Sequence, residues 1–380
     1  MPDTRVLLGR IGAAARPAGS ATEANARAVC ADWLRESGFS VEERPFSYSA
    51  APGEWGTPMA GFALLIMGLA AAYGIAEGGL GTDRTLQIAF AALIVIAAAG
   101  WWVGRYGTRA LPFQRRVGVN LEARRGVPDV WLVAHLDSKS QPVSLLTRAA
   151  SAVAVACSWA ALLVVWAISR LLPVPAVVFL VLAGCASVAA VPLLVSSIGD
   201  RGDGALDNAS GVASILGAVR MMDAALPVGV VVTSAEEYGL AGARAWVDGR
   251  REGTRAAARD GMRRGVVINC DGVDDDGVLT ITAGGAGRNL VHLFGGVVAA
   301  LRPDVRIRRS LPGVLLDATA FADRGWAACT VSQGTRSSLA RVHTSRDTLA
   351  SLSGAGVESV AGVLASLGGA IIAGNTTPEY

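Results

Sequence analysis

Three histidines occur in the 380 residues, and two of them, His135 and His343, have an acidic residue close by in sequence; His292 has none. Zinc takes imidazole nitrogen and carboxylate oxygen readily. The five cysteines are scattered without paired spacing, so neither a thiolate site nor a disulfide framework is indicated. The histidines therefore direct attention to carboxylates. His135 closes an apolar run, with Asp137 two residues on. A carboxylate there lies on the same face of an extended chain, where it could accept the other imidazole N–H and fix the tautomer of a metal-bound ring. Asp207 opens a helical pattern, Glu236 and Glu237 follow the run that ends at Thr233, Asp271 closes another run, and His343 leads into the last helical segment. Each alone has a simpler account: a hydrogen-bonded His–Asp pair, an N-cap, two glutamates on a surface turn. Together they offer two imidazoles and three carboxylates, Asp207, Glu237 and Asp271. Two metal ions ~3.5–4 Å apart need a ligand set of this kind, one carboxylate being shared.

The order His135-x-Asp137, Asp207-Asn208-x-Ser210-Gly211, Glu236-Glu237-x-Gly239-Leu240-x-Gly242, Asn269-x-Asp271 and a late His343 resembles the M28 family of zinc aminopeptidases. The resemblance covers the N-terminal helix and strand, residues 105–140 and residues 200–380. It implies two zinc ions per chain: His135 and Asp271 on one, Glu237 and His343 on the other, Asp207 bridging. It implies Glu236 as general base, Asp137 as the orienting partner of His135, and a cis peptide after the bridging aspartate, a costly non-proline feature that would belong to the site. The family's Ser-Asp-His before a Phe is matched only by Asp317 and Phe321, which mark the expected substrate pocket. The run from His135 to Lys139 is also similar to glutaminyl cyclases, single-zinc relatives on the same fold.

These residues must be positioned by strand ends. Val117–Ala123, Val130–Ala134, Val228–Thr233, Val266–Asn269, Val278–Thr282 and Ala328–Val331 read as strands, and Phe39–Tyr48 alternates like one. Ala21–Ser37, Ser210–Ala225, Leu290–Leu301 and Val357–Ile372 read as helices. The alternation predicts an α/β fold, a mostly parallel sheet with helices on both faces, with ligands at the strands' C-terminal ends. If Glu236 and Glu237 serve one site, the chain must leave strand geometry there, since consecutive strand side chains point opposite ways. Gly284–Gly287 lacks the strand-to-helix context of a phosphate loop.

Half of the residues are apolar, and the excess sits in four uncharged stretches: Trp55–Ala76, Thr85–Gly104, Ala149–Ser169 and Leu171–Gly199. Each approaches or exceeds the ~20 residues that cross a ~30 Å hydrocarbon core. The expected organisation is residues 1–54, 105–148 and 200–380 forming the catalytic domain, with 55–104 and 149–199 as two transmembrane hairpins. Hairpins return the chain to the side it left, so the soluble pieces share one side. That side carries Arg105, Arg109, Arg115, Arg116, Lys139, Arg148 and Arg201, against Arg84 and Arg170 at the hairpin turns. Basic residues gather on the cytoplasmic side, so the catalytic mass is expected there. The opening Met-Pro-Asp-Thr-Arg carries no apolar core of a cleavable leader.

A net charge of +3 is too small to imply a nucleic-acid partner. The expected partners are a peptide substrate and the lipid bilayer, with no oligomeric state readable. The expected function is a membrane-bound di-zinc aminopeptidase. The rival from another class is a metal-binding receptor or transport subunit without catalysis, against which stand the intact Glu236 and spans without internal charge. Glutaminyl cyclisation is the further alternative.

Overall fold

The computed structural model describes residues 4–78, 81–257, 265–283, 304–309 and 315–373. It divides into two compact units. One comprises Met1–Tyr48, Arg115–Ser140 and Asp200–Tyr380; the other comprises Ser49–Gln114 and Gln141–Gly199.

The first unit is built on an eight-stranded sheet. Its strands are β1 (Ser40–Ser49), β2 (Arg115–Arg125), β3 (Val130–His135), β4 (Val228–Thr233), β5 (Val266–Val273), β6 (Val278–Ala283), β7 (Arg306–Arg309) and β8 (Ala328–Gly334), in the spatial order β1-β2-β4-β3-β5-β8-β6-β7. The centre is parallel: β3 lies between β4 and β5, and β5 beside β8. Towards the margins β2 runs antiparallel to β4, and β6 antiparallel to β8. Every residue of β3 and β4 is buried, which is why both read as unbroken apolar runs rather than alternating ones. Val130 pairs with both Val228 and Val266, and His135 pairs with Thr233. This register brings the ends of β3, β4 and β5, with their acids and imidazole, to one edge.

The two faces of the sheet bury separate cores. On one, Leu132, Val230 and Ile268 pack with Leu7, Leu34, Leu216 and Leu367, from the helices Thr4–Ile11, Ala21–Glu36, Ser210–Met221 and Ala355–Ile372. On the other, Trp131, Val133, Val231 and Val267 pack with Trp246 and Phe321, from the helices Ala241–Ala257 and Asp317–Ala322. The alternation of Trp131, Leu132 and Val133 between these cores is the period-two geometry of a strand.

The helix expected over Ser210–Ala225 stops at Met221. Met222 turns to extended backbone and the Asp223 carboxylate accepts the Ala225 N–H at 2.9 Å, a local turn that competes with another helical residue. The expected helix Leu290–Leu301, His292 within it, and Gly284–Gly287 lie outside the described residues.

The second unit holds four long helices: Ala51–Glu77, Gly81–Trp102, Leu145–Ser169 and Ala176–Leu194. A Cβ on Gly61 would overlap the backbone of Leu193 and Leu194, and one on Gly68 would overlap Ser187. Small residues let two of these helices approach closely, as in bilayer-embedded bundles. Met67, Ala71, Trp159, Leu162, Phe179 and Ala183 fill the interior, while Met59, Phe62, Ile94, Val95 and Val188 are exposed. At one end Asp83 accepts the Trp166 indole N–H at 2.8 Å and pairs with Arg170 at 2.8 Å, joining the first helix pair to the second. Among the described residues five helices are long and apolar enough to cross a membrane. Four are these; the fifth, Ala355–Ile372, buries Val357, Val360, Leu364 and Leu367 in the core of the sheet.

Candidate metal centre

β3 ends on His135, whose ring is 1% exposed. Its Nε2 lies 3.0 Å from Asp207 Oδ1 and 3.7 Å from Asp271 Oδ1. The other carboxylate oxygen of Asp207, Oδ2, lies 2.8 Å from His343 Nε2, which is itself 3.0 Å from Glu237 Oε1. Two triads result, His135–Asp207–Asp271 and Asp207–Glu237–His343, each with its three donor atoms within 4.8 Å of one another. Asp207 belongs to both and gives one oxygen to each.

The local backbone is held in place around these groups. The Asp207–Asn208 peptide is cis. Asp347, buried, accepts the N–H groups of Leu206 at 2.7 Å and Asp207 at 3.1 Å. Asn208 accepts from Gly211 and Gly272 at 3.1 Å each and donates to the Cys270 carbonyl at 2.9 Å, tying the Asp207 segment to the end of β5 beside Asp271. After β4 the chain leaves strand geometry at Ala235, which has φ +56°, and turns into a short 3-10 segment, Glu236–Tyr238. His343 has φ +60°. Left-handed backbone at non-glycine residues costs of order 1–3 kcal/mol each, and such strain gathers at functional sites.

Asp137 works differently from the pairing expected of it. The His135 Nδ1 contact is to the Asp137 backbone carbonyl at 3.0 Å, with the carboxylate at 3.8 Å. The carboxylate instead accepts the N–H of Glu236 at 3.0 Å and of Glu237 at 3.2 Å, so it holds the glutamate turn onto the end of β3. Asp317 is fully buried and accepts the Thr233 hydroxyl at 2.5 Å, while its Oδ1 has no partner. Phe321 is fully enclosed, 5.4 Å from Trp246 and 6.1 Å from Trp326 by ring centroids, and packs in the core on that face of the sheet. Lys139, the only lysine, carries no spacing that marks it as a site residue, yet its Nζ sits 2.5 Å from Glu237 Oε2.

The electrostatics show what the cluster lacks. Among the described residues, the carboxyl groups of Asp137, Asp207, Glu236, Glu237, Asp271, Asp317 and Asp347 are buried or nearly so with the Lys139 ammonium, two imidazoles and the Arg16 guanidinium. Burial and the surrounding acids raise Asp271, hold Glu236 well above the carboxylate range, and push Asp137 up to about 8 and Asp317 to about 6. Burial would do the same to Glu237, but His343 and Lys139 outweigh it and bring that group to about 2. Burial opposes charge on His343, yet Glu237 and Asp207 raise it. The acids are short of positive charge in a place where each triad offers nitrogen and oxygen donors around one point. Two divalent cations would supply four charges there, and the donor set suits zinc.

Residues 186–367 match the family model described as Peptidase family M28, which bears out the resemblance seen in the motifs. No curated protein matches the sequence. Among solved structures, an aminopeptidase from Aneurinibacillus sp. strain AM-1 is 16% identical, with a TM-score of 0.52, over 96% of this chain and 92% of its own. A zinc aminopeptidase from Bacillus subtilis is 14% identical, with a TM-score of 0.53, over 97% and 94%. A glutaminyl cyclase from Fimbriiglobus ruber is 13% identical, with a TM-score of 0.54, over 96% and 93%. At these identities the structures establish a shared fold, the mixed α/β sheet of the aminopeptidases.

Proposed function

We propose that this chain, which carries the Peptidase family M28 pattern over residues 186–367, is a membrane-bound di-zinc aminopeptidase that hydrolyses the N-terminal peptide bond of peptides. The observation that carries the reading is the pair of donor triads sharing Asp207. His135 and Asp271 would hold one zinc, Glu237 and His343 the other, and Asp207 both. Bound zinc would acidify a water and polarise the scissile carbonyl.

The chain's own residues supply the rest. Glu236 belongs to neither triad, and its N–H is fixed by Asp137. Its carboxylate takes the proton from the attacking water and delivers it to the leaving amine. Lying beside both triads but in neither, it is left available as the proton acceptor. Asp317, with an unpartnered buried oxygen, is the candidate for receiving the substrate's free amine.

The test is Glu236→Gln in the full-length protein. We expect metal content to remain at two per chain while hydrolysis of an aminoacyl reporter falls ~10²–10⁴-fold, the usual contribution of a general base. Full turnover in that variant rules out its role. Metal uptake without any hydrolysis in the wild type favours the receptor or transport reading. The glutaminyl cyclase likeness and Lys139 beside Glu237 support one further reading, in which an N-terminal glutaminyl peptide is cyclised with release of ammonia. Ammonia release from such a peptide, with no hydrolysis of other peptides, would decide for it.

The second unit supports a bilayer location. Its four helices have mean hydropathies of 2.0 to 2.5 over their most apolar windows, and large aliphatic side chains face outward. As two hairpins they would leave the catalytic unit on the cytoplasmic side, where the arginines flanking the spans are concentrated.

A further inference from the structure

The Arg16 side chain is almost wholly buried, at 1% exposure, and among the described residues no carboxylate lies within ion-pair distance of it. Its guanidinium donates only to backbone carbonyls. Nε reaches the Leu136 carbonyl at 2.9 Å, next in sequence to His135. Nη1 reaches the Asp203 carbonyl at 2.7 Å and Nη2 the Gly204 carbonyl at 2.7 Å, both in the segment leading into Asp207. The remaining bonds go to Ile11 and Ala14, at 3.2 and 3.0 Å, and fix the arginine's own loop. The backbone of Arg16 completes the arrangement: its N–H donates to Ser138 Oγ at 2.9 Å, and its carbonyl accepts the Ser138 N–H at 2.9 Å.

These bonds meet at the place where the chain is interrupted. Residues 141–199 belong to the other unit, so the segment holding His135 and the segment holding Asp207 are not joined by a short loop. They nevertheless lie side by side, so close that a Cβ on Gly204 would overlap Ser138. A planar, permanently charged fork with five N–H donors suits the bridging of three carbonyls on two segments; an ammonium, with three donors at one point, does not.

We propose that Arg16 is the positioning residue of the metal centre, fixing the distance between His135 and the bridging Asp207 across the interruption. The inference rests on the metal reading above. It concerns no step of the reaction: Arg16 touches neither donor triad, and acts through the carbonyls beside their members. Loosening the fork would let the His135 strand end and the Asp207 segment move independently, and the triad His135–Asp207–Asp271 would lose its preset geometry.

The experiment compares full-length wild type, Arg16→Met and Arg16→Lys in detergent, each titrated with Co²⁺ and read by its visible d–d absorption and by equilibrium metal content. We expect Arg16→Met to bind the ion at the His135 triad about 10- to 100-fold more weakly, the loss found when groups that orient metal ligands are removed, with an altered d–d spectrum. Arg16→Lys should recover little, and free guanidinium well below denaturing concentration should restore part of the Arg16→Met spectrum. Arg324→Met, which breaks the part-buried contact to Asp248 on the other face of the sheet, serves as the control for general destabilisation and should leave the spectrum unchanged. Should Arg16→Met fail to fold, Ser138→Ala loosens the same junction more gently, and a several-fold loss of affinity is expected. A wild type that binds Co²⁺ with Arg16→Met, or in its place Ser138→Ala, indistinguishable in spectrum and affinity overturns the inference while leaving the metal reading intact. A wild type that takes up no Co²⁺ overturns both.

Discussion

Lys139 places a positive charge 2.5 Å from Glu237, and both side chains are nearly buried. Bound zinc would share the neutralisation of the surrounding acids; without it Lys139 is a fixed cation paired with a member of that triad. Lys139→Met should therefore destabilise the metal-free protein by about 3 kcal/mol, the scale for removing one partner of a buried ion pair, and the zinc-loaded protein by clearly less. Thermal melts with and without chelator measure the difference; equal shifts would count against the lysine as a stand-in for metal charge. Asp137 gives a second residue-level outcome. Asp137→Ala strips the acceptor from the Glu236 and Glu237 N–H groups, and leaving such buried donors unpaired costs ~1–3 kcal/mol each. It should lower both metal affinity and turnover, whereas Glu236→Gln lowers turnover alone. Residue types were legible in the sequence here because His and acid at strand ends restrict the chemistry. Partners were less so. The sequence placed the Asp137 carboxylate on His135, but a two-residue spacing also lets the backbone carbonyl fold back to Nδ1, which frees the carboxylate for N–H groups a hundred residues away. Lys139 and Arg16 are not legible for the same reason: their partners are distant in sequence, and no spacing announces them.

Between residues and the whole lie the elements that hold the sheet's far margin. Glu122 on β2 is 2% exposed and accepts from Arg44 on β1 at 2.8 Å, from Trp246 at 2.9 Å and from Arg250 on the helix Ala241–Ala257, with Arg124 also paired. Arg250 in turn lies over the rings of Trp131 and Trp246, at 4.6 and 4.1 Å. One carboxylate thus joins two strands and a helix. Burial alone would raise its proton affinity, but Arg250, Arg124 and Arg44 outweigh that and leave it below the ordinary carboxylate value. A group depressed on folding contributes stability above its unfolded pKa and loses it as pH falls through the folded one. Glu122→Gln should therefore cost about 2 kcal/mol at pH 7, the arginines being partly solvated. The gap from wild type should close as pH drops below the ordinary value near 4.5. Chemical denaturation across that range measures it, and a gap independent of pH would exclude the charge as its origin. The helix that carries Arg250 has a low apolar content, and its core-facing stripe of Ala243, Trp246 and Val247 shows only at helical spacing. β7 is no more legible: Arg306–Arg309 is exposed throughout and has no apolar alternation to betray it. The buried strands β3, β4 and β5 were legible because burial on both faces demands unbroken apolar runs.

At the scale of the whole molecule, the first unit is a sheet with both faces covered, interrupted twice in sequence but not in structure. The ends at each interruption already meet. Arg115 donates to Ser47 at 2.9 Å across the first, and the Arg201 N–H donates to Ser140 at 2.7 Å across the second. Replacing residues 49–114 and 141–199 by short Gly/Ser linkers should yield a catalytic unit that purifies without detergent and binds as much zinc as the full chain; insoluble or metal-free material would show that the helical unit is needed for the fold. The proposed topology is tested separately. In a Cys157→Ser, Cys185→Ser background, Leu171→Cys, 85% exposed at the turn of the second hairpin, should react with an impermeant maleimide only from the side opposite the catalytic unit. The four apolar stretches were legible from length and composition, and the helices extend a few residues beyond most of them. The fifth apolar helix, Ala355–Ile372, shows why composition alone is insufficient: one face of it fills a core. The place of β3 in the sheet has a last consequence, for synthesis. Both of its neighbours, β4 and β5, are encoded after the second hairpin. At ~5–20 residues per second, the roughly 90 residues from His135 to β4 take on the order of 5 to 20 s to emerge. The middle strand of the sheet must wait that long for a partner while the hairpin is being translated. The proposed donor triads, which need the ends of β3 and β5 together, would then assemble only after the hydrophobic segments have been made.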